Sequence, residues 1–452
     1  MSSSERKSKW ADLFRSDEPN VVLAADVPCV FLTEEVLENL RVEIPLLEKG
    51  SHRLKAWETI YQRAEKAMKL DPAPFAYTGT NFEEYIKAAE ATMNPMLFLS
   101  FCGAIMNKRK YIEKATSILL EWARANPLPG TQLARPEKGK RLTNTGLTLA
   151  RFLDRIVETY RLVAESMMDS RDRGLVVRWI HEMGKSIQKS HMFWLNHHEV
   201  EGPQNHMSWH IFGMLLSGMV ARDVPLIHYA LDDPANRWNF QQIVDAAIYR
   251  PGRASCVFRS GCNRAGQRFS YDGRAESGEI FDRCRTLSAR DEGKPRPCGM
   301  HYCLFNLRAL VYTAHIWDCN VEYLRSLMDV NVQARMMRCC DDAILAALQF
   351  YGRYYVDYPT GGAEEGEGDG GGKEETKCIT YAPYAEQRPD YENLPAFLLG
   401  RAHYPSDAVL EEVVATNVPV MHPPSQHPMQ RPHPLTTPVC YLLLAAPPTM
   451  TA

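Results

Sequence analysis

The chain has 452 residues, 45% of them apolar, and 52 basic side chains stand against 55 acidic ones for a formal charge of −3. That size and composition allow a large core, and the near-neutral balance excludes the global basic field that recruits nucleic acid or an anionic membrane. Any polyanion must be gripped by local groups.

The twelve cysteines are scattered and include the adjacent pair Cys339-Cys340. They form neither a CxxC module nor a regular framework, so reduced thiols are expected. The start, from Met1 to Trp10, lacks the apolar stretch of a secretory signal, and no run reaches the eighteen or so apolar residues of a membrane span. The expectation is a cytoplasmic chain, or a secreted one if the natural start lies elsewhere.

In chain order, residues 1–50 read as an N-terminal extension and residues 51–415 as the main domain. From Leu54 to about Leu348, apolar residues return at three- and four-residue steps. This spacing predicts helices over 55–69, 83–105, 108–126, 144–167, 172–197, 206–221, 236–249, 300–317 and 320–352. So many helices in one layer would leave apolar faces stranded, and stacked helical hairpins closing into a solenoid or toroid are the economical solution. No repeat of fixed period is legible. The fold class expected is mostly α.

Residues 250–299 break the helical pattern with many Arg, Gly, Cys and Pro residues, in a connection far longer than usual, which marks a functional loop. Residues 361–376 are a Gly- and Glu-rich low-complexity insertion expected on the surface, and residues 416–452 form a Pro- and His-rich tail expected to be disordered.

Two stretches carry the chemistry. One is Gln204-Asn205-His206-Met207-Ser208-Trp209-His210; the other runs from Gly278 to Arg285 and on to Gly299-Met300-His301-Tyr302. An amide, two imidazoles, two guanidiniums and a phenol can hold a carboxylate, remove the proton beside it and protonate a departing sugar oxygen. His206 and His210 stand four apart and share a helix face, with Asn205 in an N-cap-like position before them. The same spacing fits zinc, although Met207 and Ser208 stand where a zincin places its glutamate and no third ligand is obvious. A third reading makes Asn205 a plain cap and the histidines satisfied polar groups.

Gly146–Arg151, Gln204–His210, Gly278–Arg283 and Tyr302–Leu310 follow one another in the order and spacing of the alginate-lyase-like polysaccharide lyases. The resemblance covers about residues 55–410 and is closest to the branch containing polysaccharide lyase family 38, which cleaves glucuronan or alginate. It implies an incomplete (α/α) toroid and β-elimination of a uronate polymer with no required metal or cofactor. It matches Asn205 and His206 to the family's Asn-His pair at the cleavage site, and Tyr302 to its catalytic tyrosine. Arg283 and Arg285 align with an Asp-Arg-x-Arg stretch, with Cys284 where the family often has Tyr. His210, Arg285, Arg151 and Trp209 are the expected substrate-binding residues. Arg151 serves equally well as an ion-pair partner, and Trp209 equally as a core residue.

The chemistry agrees with the resemblance. The C5 proton of a uronate lies beside a carboxylate whose charge opposes carbanion formation, so that charge must first be neutralised. Asn205 and an arginine can do this, and Tyr302 and a histidine can exchange the protons. The partner expected is an acidic polysaccharide, with no nucleic acid and no membrane. The rival is a degenerate toroid that binds an acidic glycan or a protein without cutting it.

Overall fold

The computed structural model describes residues 10, 13–14, 20–70, 82–125, 145–197, 203–251, 260–262, 268–270, 276–282, 299–328, 335–357, 389 and 391–417. Among these the fold is mostly helical, and the expected incomplete (α/α) toroid is what the helices build.

Five helices line the inside: α3 (Phe82–Met106), α5 (Thr145–Met167), α7 (Asn205–Ala221), α10 (Gly299–Cys319) and α13 (Leu394–His403), each packed against the next. They run parallel. Gly146 meets His210 and Gly213 meets Ala150 between α5 and α7. Trp209 meets Phe305 and Phe212 meets Tyr312 between α7 and α10. Arg308 reaches Glu392 in the turn just before α13, and His315 reaches His403 on α13.

The outer helices return antiparallel. α4 (Arg109–Ala125) places Ile112 on Gly103 and Trp122 on Thr92 of α3. α6 (Ser170–His197) sets Trp194 on His206 and Ile187 on Gly213 of α7. α12 (Cys339–Asp357) sets Leu348 on Gly400 and Tyr355 on Phe397 of α13. Enclosure on every side explains the composition of α7, in which all residues from Asn205 to Val220 are buried; such a helix cannot show the one-sided stripe of a surface helix. The remaining helices complete the outer layer: α1 (Glu34–Glu43), α2 (His52–Ala67), α8 (Val224–Leu231), α9 (Phe240–Ala247), α11 (Val321–Leu327) and α14 (Ala408–Asn417).

Parallel inner helices give the ring two unlike ends. At the C-terminal end, residues 21–32 cross from helix to helix. Val21 N–H donates to Asn107 Oδ1 (2.8 Å), Ala24 N–H to the Arg161 carbonyl (3.0 Å), and Asn320 grips Cys29 through both its amide groups (2.7 Å each). The buried Glu158 carboxylate accepts from Val30, Phe31 and Leu32 N–H (3.1, 3.3 and 2.9 Å). The boundary expected at residue 50 is therefore not a structural one: these residues are part of the ring.

Three further expectations are corrected. The helix expected over 236–249 is shorter and is preceded by α8, because Asn239 caps Gln242 N–H and Asp223 caps Leu226 N–H. The segment 320–352 is split between α11 and α12. A small antiparallel hairpin, β1 (Ser260–Cys262) with β2 (Arg268–Ser270), lies inside the expected irregular loop. The 361–376 insertion and the tail after residue 417 lie outside the described residues. Among those described, no helix is long and apolar enough to cross a membrane.

Candidate active site

The long connection after α9 is pinned at its base. Tyr249 N–H donates to the Glu279 carbonyl (2.8 Å), Gly278 N–H donates to the Tyr249 carbonyl (2.9 Å), and Ile248 bridges Ile280. Gly278 has φ +96°, and a Cβ there would stand 2.2 Å from the Ala346 carbonyl oxygen, so only glycine fits this crossing. The crossing delivers Asp282 to the N-terminal end of the inner ring.

Asp282 is fully buried. Its carboxylate accepts from Asn205 N–H (3.0 Å), Asn205 Nδ2 (3.1 Å) and Asn306 Nδ2 (2.6 Å), while Ser208 Oγ donates to Asn306 Oδ1 (2.6 Å). Asn205 is thus not the cap of α7. Gln204 holds the cap position without a side-chain capping bond, and a carboxylate 77 residues away serves the first N–H and offsets the positive end of the helix. The chain joins α7 to α10 at Asn306, one turn beyond Tyr302, so Asn205 and Tyr302 belong to the same end of the ring.

His206 packs its ring on Trp194, with centroids 4.6 Å apart. His210 lies one turn deeper, fully enclosed beside Gly146 and His191. Burial, His191 and His206 hold it well below the usual imidazole range, and neither ring nitrogen has a hydrogen-bond partner among the described residues. Burial likewise pushes His191 down to about 4, and its Nε2 meets Asn236 Oδ1 at 2.9 Å. His210, expected to bind substrate, is thus enclosed one turn below His206. Trp209 takes the core position that the sequence also allowed: it is fully buried between Phe212, Phe305 and Tyr312, with the Arg308 guanidinium 5.1 Å above its ring. Both side chains are fixed by tertiary packing of α7 against both neighbouring inner helices.

Arg151 reaches Glu392 Oε1 at 3.3 Å, and Arg308 reaches the same oxygen at 3.1 Å. Burial alone would raise the Glu392 carboxyl, but Arg308, Arg151 and His301 beside it hold it below its usual value. Phe305 lies under this network, with Arg151 at 5.3 Å and Arg308 at 5.1 Å from its ring, and His301 stacks on it at 5.9 Å. Arg308 is buried, whereas 28% of the Arg151 side chain remains accessible. Tyr302 is half-buried on the adjoining turn of α10, its ring 5.8 Å from that of His301. Arg283 and Arg285 lie outside the described residues. Sequence reasoning missed Glu392, 84 residues from Arg308 with no motif around it. Asp282 and Arg308 stand out in the sequence only as members of longer stretches. Among the described residues, no group of three or more His, Cys, Asp or Glu side chains is placed to hold a metal.

The alginate lyase family model matches residues 48–246. That segment is similar to the alginate lyases. The match contains Arg151, Asn205 and His206 and ends before Asp282 and Tyr302, so the second motif set lies beyond the matched segment. Among solved structures, alginate lyase A1-III from Sphingomonas species A1 is similar at 13% identity, covering 91% of this chain and 95% of that one, with a TM-score of 0.43. No curated protein matches the sequence.

Proposed function

We propose that the chain is a polysaccharide lyase that cleaves a uronic-acid polymer, glucuronan or mannuronan-type alginate, by β-elimination. The observation that carries this reading is the Asp282 junction. It ties the Asn205-His206 pair to α10 one turn from Tyr302, so two motifs distant in sequence share one end of the ring.

In the reaction, Asn205 and an arginine neutralise the uronate carboxylate, lowering the cost of charge developing at C5. Tyr302 or His206 accepts the C5 proton, and the C5–H electrons form the C4=C5 double bond. The C4–O4 bond breaks with its electron pair on O4, which takes a proton from the other group. The product is a 4,5-unsaturated uronate end. The N-termini of α7 and α10 lie at this end and favour a bound anion.

One observation favours the rival reading, a toroid that binds an acidic glycan without cutting it. Asn205 is only 1% exposed and already donates to Asp282. A single assay separates the two. Purified protein is incubated with glucuronan, polymannuronate, polyguluronate and hyaluronan while the ultraviolet absorbance of the unsaturated product is followed. Rising absorbance with one polymer supports the lyase; binding without absorbance supports the rival.

A further inference from the structure

We infer that Asp282 is a positioning residue for this reaction, setting the orientation of the Asn205 amide and the spacing of Asn205 from Tyr302. The inference rests on the lyase reading and adds to it a residue that does not touch substrate. An amide side chain can present either its oxygen or its NH₂ to a neighbour, and the two differ by a half-turn that costs little in isolation. A carboxylate facing Asn205 removes the ambiguity because it only accepts. It turns Nδ2 toward itself at 3.1 Å and leaves Oδ1 and the second N–H of Asn205 in a fixed direction.

The same carboxylate fixes the position of Asn205 as well as its orientation. One oxygen, Oδ2, takes both Asn205 N–H at the start of α7 and Asn306 Nδ2 on α10. Asn306 is held from its other side by Ser208 Oγ on α7. The result is a closed circuit, α7 to Asp282 to α10 and back to α7, placed one turn from Tyr302. All four side chains are buried, so water does not compete for these bonds. A simple helix cap would need only the bond to Asn205 N–H. The contacts to Asn306 and to the Asn205 amide are what a positioning role requires.

The test uses the full chain and the unsaturated-product assay, with kcat, KM and melting temperature measured on each protein. In Asp282→Asn the new side chain presents its own NH₂ to one of three donors, so the Asn205 amide turns or shifts. The expected result is a fall of ~10²-fold in kcat, the scale of a misplacement near 1 Å, with KM nearly unchanged. The double change Asp282→Asn with Asn306→Asp returns a carboxylate to the circuit beside Ser208 and should recover part of the lost kcat. If Asp282→Asn does not fold, Asn306→Ala leaves the helix cap intact and carries the same kcat expectation. A folded variant with near wild-type kcat, or a kcat loss that the double change leaves untouched, overturns the inference. Wild-type protein inactive on every polymer overturns the lyase reading itself, a result distinct from both.

Discussion

The two ends of the inner ring face the same physical problem and solve it differently. At the C-terminal end a buried carboxylate, Glu158, is satisfied by three successive backbone N–H groups of residues 30–32, and the chain's own strap closes the ring. At the N-terminal end a second buried carboxylate, Asp282, is satisfied mainly by side-chain amides, and the half-buried Tyr302 and partly accessible Arg151 stand nearby. Backbone donors are rigid and need no particular side chain, which suits a plug. Side-chain amides can be aimed, which suits a site. The difference predicts that damage to the first end is read in stability and damage to the second in turnover.

The largest effect expected is at Tyr302. Tyr302→Phe keeps the ring and removes the hydroxyl, so melting should barely move while kcat falls by the ~10² to 10⁴ of a lost general acid or base. Near wild-type turnover in a folded variant would reduce Tyr302 to a packing residue.

Glu158→Ala should do the opposite. It strands three buried N–H groups and removes the charge facing Arg161, at a cost of about 3–5 kcal/mol in stability. At a temperature where the variant stays folded, its kcat should match wild type, because the strap lies at the far end of the ring. Thermal melting and kinetics on one preparation check both halves, and a selective kcat loss would erase the distinction between the ends.

Asn205→Ala should lower kcat by ~10²-fold, more than it raises KM, if the amide supports charge developing in the transition state. If Asn205 serves only the fold, the loss is one buried hydrogen bond, about 1 kcal/mol in melting with turnover unchanged.

The smallest effect is acid sensitivity at the closed end. Burial and neighbouring His403 push His315 down to about 3, and burial with Arg338 pushes His403 down to about 4. In the unfolded chain both take up protons below the ordinary value of 6.5, so their contribution to stability is complete above that pH and is lost as pH falls toward 4 and 3. Asp318 opposes this, because burial raises it to about 6 and its protonation on acidification favours the fold. Two imidazoles outweigh one carboxyl of comparable shift. Melting temperature should therefore decline from pH 6.5 to 4, and His315→Gln should flatten that slope. An equal slope in the variant would place the acid sensitivity elsewhere.

Local pattern by itself determined the long helices. α4, α5 and α6 follow apolar spacing over many turns, a signal that survives loss of context because each turn repeats it, and α3, α7 and α10 stand out by the length of their apolar runs. Short elements did not carry that redundancy: α8 has one capping aspartate, one proline and two turns, too little to stand out, although Asp223 and Pro225 were visible signs. The Asn-His pair and Tyr302 were also legible, since rare residue types stood in a recognisable order. Only the tertiary structure decided what surrounds them. Nothing near Trp209 or His210 in the chain announces that neighbouring inner and outer helices enclose them, and nothing near Asn205 announces that the α7 cap comes from Asp282. Residues 21–32 lack a helical period, yet they complete the ring, because backbone N–H groups satisfy Glu158 whatever side chains they bear. Periodicity is written locally, whereas burial and pairing depend on distant segments that meet only when the inner helices stand side by side.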